Sequence, residues 1–195
     1  MQRLFITVLL ALTTSLASGG SREAASAAWE RKDYLTVLNI IRPPALKGEA
    51  WAQMGLGYAY AKGQGTVQDY AEAVKWYRLS ADQGYAGSQR ELGASYENGW
   101  GVMQDYSEAV KWYRLAAQQG LLIAQYNLGV MYFLGRGVVQ DYVKAHVWFN
   151  LGAVKGSADA VKSRAEMANL MTQQQIAEAQ KKARDCQAQK FKGCE

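Results

Sequence analysis

The stretch QDYAEAVKWYRL at Gln68–Leu79 returns 36 residues later as QDYSEAVKWYRL at Gln104–Leu115, and again, more loosely, as QDYVKAHVWFNL at Gln140–Leu151. The register extends well beyond these segments. Leu56, Leu92 and Leu128 correspond, as do Gly57, Gly93 and Gly129, and Tyr60, Tyr96 and Tyr132. Gly63/Gly65 recur as Gly99/Gly101 and Gly135/Gly137, Trp76 as Trp112 and Trp148, and Gly84 as Gly120 and Gly156. A fixed period of about 20–50 residues marks stacked supersecondary units, none of which can bury its apolar face alone. Such stacks mostly present surfaces to partners, so the period also bears on function.

Each copy divides into two helices. Gln53, Leu56, Gly57 and Tyr60 fall three and four apart, on one helical face. A glycine inside a helix costs about 1 kcal/mol relative to alanine, so Gly57 and its counterparts imply close approach of a neighbouring helix. The Gly63-x-Gly65 pair then stops the helix. The second helix opens at Asp69, and Asp69 with Glu72, like Asp105 with Glu108, fits a capping box. Ala73, Trp76, Tyr77 and Leu79–Ser80 are expected on its inner face, with Lys75 and Arg78 outward. In the third copy Lys144 replaces the box glutamate, and His146 and Val147 make the helix apolar all round, as a helix covered by one more helix should be.

The flanks read as caps. Asp33–Gly48 stand one period before Asp69–Gly84 as a degenerate half-repeat, whose helix Pro43 and Pro44 are expected to break early. Ala158–Asn169 occupy the slot of a fourth first helix, with Arg164 and Ala168 where leucine and tyrosine stood. Thr172 and Gln175 form a further capping box, with Met171 and Ile176 as its hydrophobic staple. The organisation expected is all-α: an α/α solenoid of antiparallel helix pairs with N- and C-terminal capping helices. Its parts are a signal peptide at 1–17, a cap at 24–49, repeats at 50–85, 86–121 and 122–157, and capping helices with a basic tail at 158–195.

Arg3 followed by the apolar run Leu4–Leu16 resembles an export signal, too short for the roughly 20 residues of a spanning helix. Cleavage after Ala17 would leave the mature chain in the periplasm or secreted, without a membrane span; the competing reading is an uncleaved anchor. The chain's only cysteines, Cys186 and Cys194, would then meet oxidising conditions and are expected to join. Their short loop makes that bond worth about 2–3 kcal/mol. Two thiols without further ligands do not make a metal site, and no cofactor motif occurs. The net charge of +5 is modest and interleaved with acids, which argues against nucleic acid as a partner.

The recurring Leu-Gly pair, tyrosine, Gly-x-Gly, Asp-Tyr, tryptophan and closing glycine, over about residues 50–157, resemble the Sel-1-like repeat family, relatives of the tetratricopeptide class. That resemblance implies a right-handed superhelix whose first helices line a concave, protein-binding face, in an adaptor or scaffold; the chain itself is expected to be a monomer. Some cysteine-rich members have been associated with penicillin binding or β-lactam hydrolysis; they carry a disulfide in every repeat, and these repeats contain no cysteine.

The first-helix face opposite the inner stripe carries Trp51, Met54 and Tyr58, then Gly87, Arg90 and Ala94, then Ile123, Tyr126 and Val130. Trp51, Met54, Tyr58, Arg90 and Tyr126 are the candidate partner-binding residues, being aromatic anchors and a guanidinium fork of the kind enriched in hot spots. The competing reading is that they pack between neighbouring units. Trp100 and Arg136, in the Gly-x-Gly loops, are further exposed candidates. Catalytic chemistry finds no footing: His146 is the only histidine and lies in an apolar helix, and Asp69, Asp105 and Asp141 serve as helix caps. The function expected is a non-enzymatic adaptor for a protein or peptide of the cell envelope; the alternative is a cell-wall enzyme or a muropeptide or β-lactam binder.

Overall fold

The glycine pairs write the period into the backbone. In the computed structural model, which describes residues 20–191 and 194, Gly63, Gly99 and Gly135 each close a helix in left-handed conformation, at φ 65°, 72° and 65°. Among the described residues there are ten helices and no strand: α1 (20–30), α2 (Tyr34–Leu46), α3 (Ala50–Lys62), α4 (Tyr70–Asp82), α5 (Ala86–Asn98), α6 (Tyr106–Gln118), α7 (Leu122–Leu134), α8 (Tyr142–Val154), α9 (Ala158–Ala168) and α10 (Gln173–Ala188). The expected signal peptide, residues 1–17, lies outside the described residues.

The glutamine before each Asp-Tyr pair clamps the loop. Gln68, Gln104 and Gln140 donate through Nε2 to the carbonyls of Ala61, Glu97 and Phe133, at 2.8, 2.7 and 2.8 Å. Backbone bonds from Asp69, Asp105 and Asp141 to Tyr60, Tyr96 and Tyr132 tie the same turn. The aspartates then cap: Asp69 Oδ1 accepts from the Glu72 N–H, Asp105 Oδ1 from Ser107 and Glu108, and Asp141 Oδ1 from Lys144. The two expected capping boxes are only half made, because the carboxylates of Glu72 and Glu108 turn forward along the helix to Lys75 and Lys111. At Thr172 and Gln175 the box is complete in both directions.

The helix-interior glycines are answered by aromatic rings. A Cβ on Gly57 would stand 2.5 Å from the Tyr77 ring, one on Gly93 2.7 Å from Tyr113, and one on Gly129 2.7 Å from Phe149. Each first helix thus lies flat against a ring of its own second helix. Buried Gln53, Gln89 and Gln125 link each first helix to the helix before it, donating to the carbonyls of Ala45, Ala81 and Ala117.

Two expectations fail. Pro43 and Pro44 do not shorten α2, which runs its full 13 residues. Ile41, Pro44 and Ala45 are buried and α2 packs on α3, so tertiary packing outweighs the two missing donors. Leu79 is not on the inner face of α4; it is 50% exposed, and the face is made by Ala73, Val74, Tyr77 and Ser80. Its counterpart Leu151 is buried, on the helix against which α10 packs. Residues 145–152 of α8 are all buried, in keeping with that extra cover.

The chain divides between Ser80 and Ala81 into two compact units. In the first, Val37, Leu38, Ile41, Leu56 and Ala59 form the core, with Trp29, Trp51 and Trp76 packed against it. In the second, Tyr113, Leu128, Met131, Trp148 and Phe149 form the core, extended to Cys186 and Cys194.

Candidate functional site

In the first unit, the outer face of α3 meets α1. The Trp51 indole N–H donates to Glu49 Oε2 at 2.7 Å, and the Arg22 guanidinium of α1 lies 5.1 Å from the ring centroid. Tyr58 stands edge-on to Trp29 at 5.4 Å, with the Lys62 ammonium at 5.8 Å from its ring centroid. Trp51 and Tyr58 thus already touch α1 through Arg22 and Trp29, and both are half-buried, as is Met54 between them in sequence.

In the second unit, Arg90 is already paired with Glu91 at 2.6 Å. About two turns further along α5, Glu97 Oε2 accepts from the Tyr113 hydroxyl at 2.7 Å. Burial, then this carboxylate, push the Tyr113 hydroxyl far above the ordinary tyrosine range, so it stays a neutral donor. Arg90 and Glu97 thus each already have a partner.

One period on, the same positions turn apolar. Arg90, Ala94, Glu97 and Asn98 become Tyr126, Val130, Phe133 and Leu134. These α7 side chains line an open cleft of about 240 Å³, whose far wall is α9 with Glu166, Met167 and Leu170. Tyr126 leans on Phe149 at 5.6 Å between ring centroids. Of the five candidates, Tyr126 alone lines this cleft. Phe133, Leu134, Glu166 and Leu170 were not singled out from sequence, although their register gave a signal. Glu166 and Leu170 stand one period after Val130 and Leu134, in the slot assigned to a fourth first helix.

His146 lies inside α8, 2% exposed. Arg164 donates to Asn150 Oδ1 at 3.1 Å, so the Asn150 amide nitrogen donates to His146 Nδ1, also at 3.1 Å, and the ring proton sits on Nε2. Burial first, then the charge of Arg164, hold the imidazole pKa below its ordinary value. This is a packed, neutral histidine. In the loops, Trp100 is half exposed and the Arg136 guanidinium lies 5.4 Å from the Tyr106 ring centroid.

Cys186 and Cys194 are joined, with Cα atoms 5.0 Å apart. Between them Lys190 and Phe191 take left-handed backbone conformations, at φ 53° and 65°, and return the Phe191 ring to Gly120 and to the Lys155 ammonium. Among the described residues no group of three or more His, Cys, Asp or Glu side chains is placed to hold a metal ion, and no helix is long and apolar enough to cross a membrane.

These features define a helical-repeat protein of the solenoid class, built from antiparallel helix pairs. The sequence model of the Sel1 repeat matches at residues 52–85, 86–121 and 122–157, and the chain belongs to that family. The crystal structure of c5321, a protective antigen present in uropathogenic Escherichia coli strains and displaying an SLR fold, is similar at 29% identity and a TM-score of 0.75, over 80% of this chain and 34% of that one. This chain thus spans about a third of the length of c5321. A Sel1 repeat protein from Oxalobacter formigenes is similar at 29% identity and a TM-score of 0.71, over 83% of this chain and 74% of that one. Helicobacter pylori cysteine rich protein B shares the fold at 20% identity and a TM-score of 0.51, over 71% of this chain and 92% of that one. No curated protein matches the chain. Sel1 repeat proteins are protein-interaction scaffolds and generally non-catalytic.

Proposed function

We propose that this chain is a non-enzymatic interaction module that works outside the cytoplasm and receives a protein or peptide partner on a first-helix face. The observation that carries this reading is the open cleft between α7 and α9, where Tyr126 and Phe133 stand at positions that α5 fills with Arg90, paired with Glu91, and Glu97, which accepts from the Tyr113 hydroxyl. Exposed Leu134 and Leu170 flank it, and an apolar patch rimmed by polar residues is the usual sign of a recognition surface. Arg90, Trp51 and Tyr58 are assigned to structural pairing, and Met54 remains a candidate of the first unit.

The extracytoplasmic address is supported by the Cys186–Cys194 disulfide and by the basic-then-apolar start of the sequence. The test is affinity capture from an envelope extract with the native chain and with Leu134→Asp/Leu170→Asp. Both substituted positions are exposed, and a helical circular dichroism spectrum and melt matching the native chain's check that the variant folds. A partner retained by the native chain and lost by the variant supports the reading; equal retention by both, or none by either, refutes it.

A further inference from the structure

We infer that the α7–α9 cleft takes a single large apolar side chain of the partner, and that Glu166 on its rim selects a lysine or arginine beside that side chain. This rests on the interaction reading above and gives its partner a chemistry. Size sets the first half. At about 240 Å³ the cleft is smaller than the roughly 300–1,000 Å³ of small-molecule sites, and suits one anchoring side chain from a larger partner. Tyr126, Val130, Phe133 and Met167 give it apolar walls, and such walls reward an aliphatic or aromatic anchor.

Charge sets the second half. Among the described residues, Glu166 is the only charged one lining the cleft. Its carboxylate is mostly exposed, and among the described residues it pairs loosely, at 3.9 Å, with Lys162, itself mostly exposed. An incoming ammonium or guanidinium can replace Lys162 without stripping a buried charge, whereas an incoming carboxylate would face Glu166 directly. On α5 the acid stands elsewhere in the register: Glu97, one period before Phe133, is tied to the Tyr113 hydroxyl. The apolar wall that α7 opens thus faces an acid on α9 that is available beside it.

The test selects a random heptapeptide library, displayed on phage, against the immobilised full chain, then measures the leading peptides in solution by fluorescence anisotropy. The expected sequences place Leu, Phe, Met or Trp next to Lys or Arg. Glu166→Gln should weaken the leading peptide roughly 3- to 5-fold, as an exposed charge pair does, and leave unchanged a peptide whose cation is replaced by glutamine. Leu170→Asp should weaken both peptides at least about tenfold, and selection on Glu166→Lys should bring up acidic neighbours instead. Peptides without the apolar–cation pair, or unaffected by Glu166→Gln and Leu170→Asp, overturn the inference while an interaction surface elsewhere stands. No enrichment over bare resin overturns both.

Discussion

Gly57 and Gly55 sit two residues apart in α3, and replacing each by alanine should change stability in opposite directions. Both substitutions remove a helix-interior glycine, a gain of about 1 kcal/mol by helix propensity. At Gly57 the new Cβ would lie 2.5 and 2.6 Å from two Tyr77 ring atoms and 3.1 Å from the Ala73 carbonyl oxygen. The ring is 2% exposed and the carbonyl is backbone, so neither can yield. Overpacking of this kind costs about 1–3 kcal/mol, and here belongs at the upper end. The net loss is about 1–2 kcal/mol, or roughly 2–8 °C in Tm for a chain of this size. At Gly55 the nearest atom is Ile41 Cδ1 at 3.2 Å, the free end of a side chain that can shift a few tenths of an ångström. Gly55→Ala should therefore be neutral or stabilising by up to about 0.5 kcal/mol. Thermal and urea melts followed by helical circular dichroism measure both. The double variant Gly57→Ala/Tyr77→Leu should lose less than the sum of its parts, because the conflict is pairwise. A stabilised Gly57→Ala, or equal losses at both glycines, would refute the reasoning.

Reducing the Cys186–Cys194 bond, which spans eight residues, should lower stability by about 2–3 kcal/mol. The double serine variant should match it in a thermal melt, and hydrogen exchange should rise around Phe191 and the end of α10. His146 binds protons less readily folded than unfolded, so stability rises with pH across the interval between the two pKa values. The native chain should lose stability as pH falls below about 6.5 until the lower folded value is passed, and His146→Gln should flatten that slope in urea melts taken across the interval. Asp105→Ala removes the acceptor of two N–H groups at the start of α6 and should cost about 1 kcal/mol. Glu108→Gln should change the melt little, since its carboxylate serves an exposed pair with Lys111.

The repeat made the architecture legible: a period of 36 residues, glycine stops and aspartate caps specify where helices begin and end before any packing is known. What a single helix pattern misjudged was the surroundings. Pro43 and Pro44 break a helix in isolation, but α2 is held from outside by α3. Leu79 lies six residues after Ala73, about 240° round a helix of 3.6 residues per turn, so its hydrophobicity misled where its angle would not have. The box glutamates found lysines one turn on, because a forward pair competes with the backward cap. The cleft was half visible. Tyr126 and Val130 follow from the face of α7, but its other wall is the atypical α9, which keeps the spacing of the repeat and not its residue types. Trp51, Tyr58 and Arg90 are residue types found in hot spots, yet residue type does not reveal that Trp29, Arg22 or Glu91 already engages them.

The most direct test of the central claim is site-specific photo-crosslinking in envelope extract, with a benzophenone side chain placed in turn at Phe133, Leu134 and Leu170 of the cleft and at Lys75 and Lys111 on second helices. The account predicts one and the same protein joined at the three cleft positions and absent from the two lysine positions. Crosslinks confined to the second helices, or the same yield at all five positions, would contradict it.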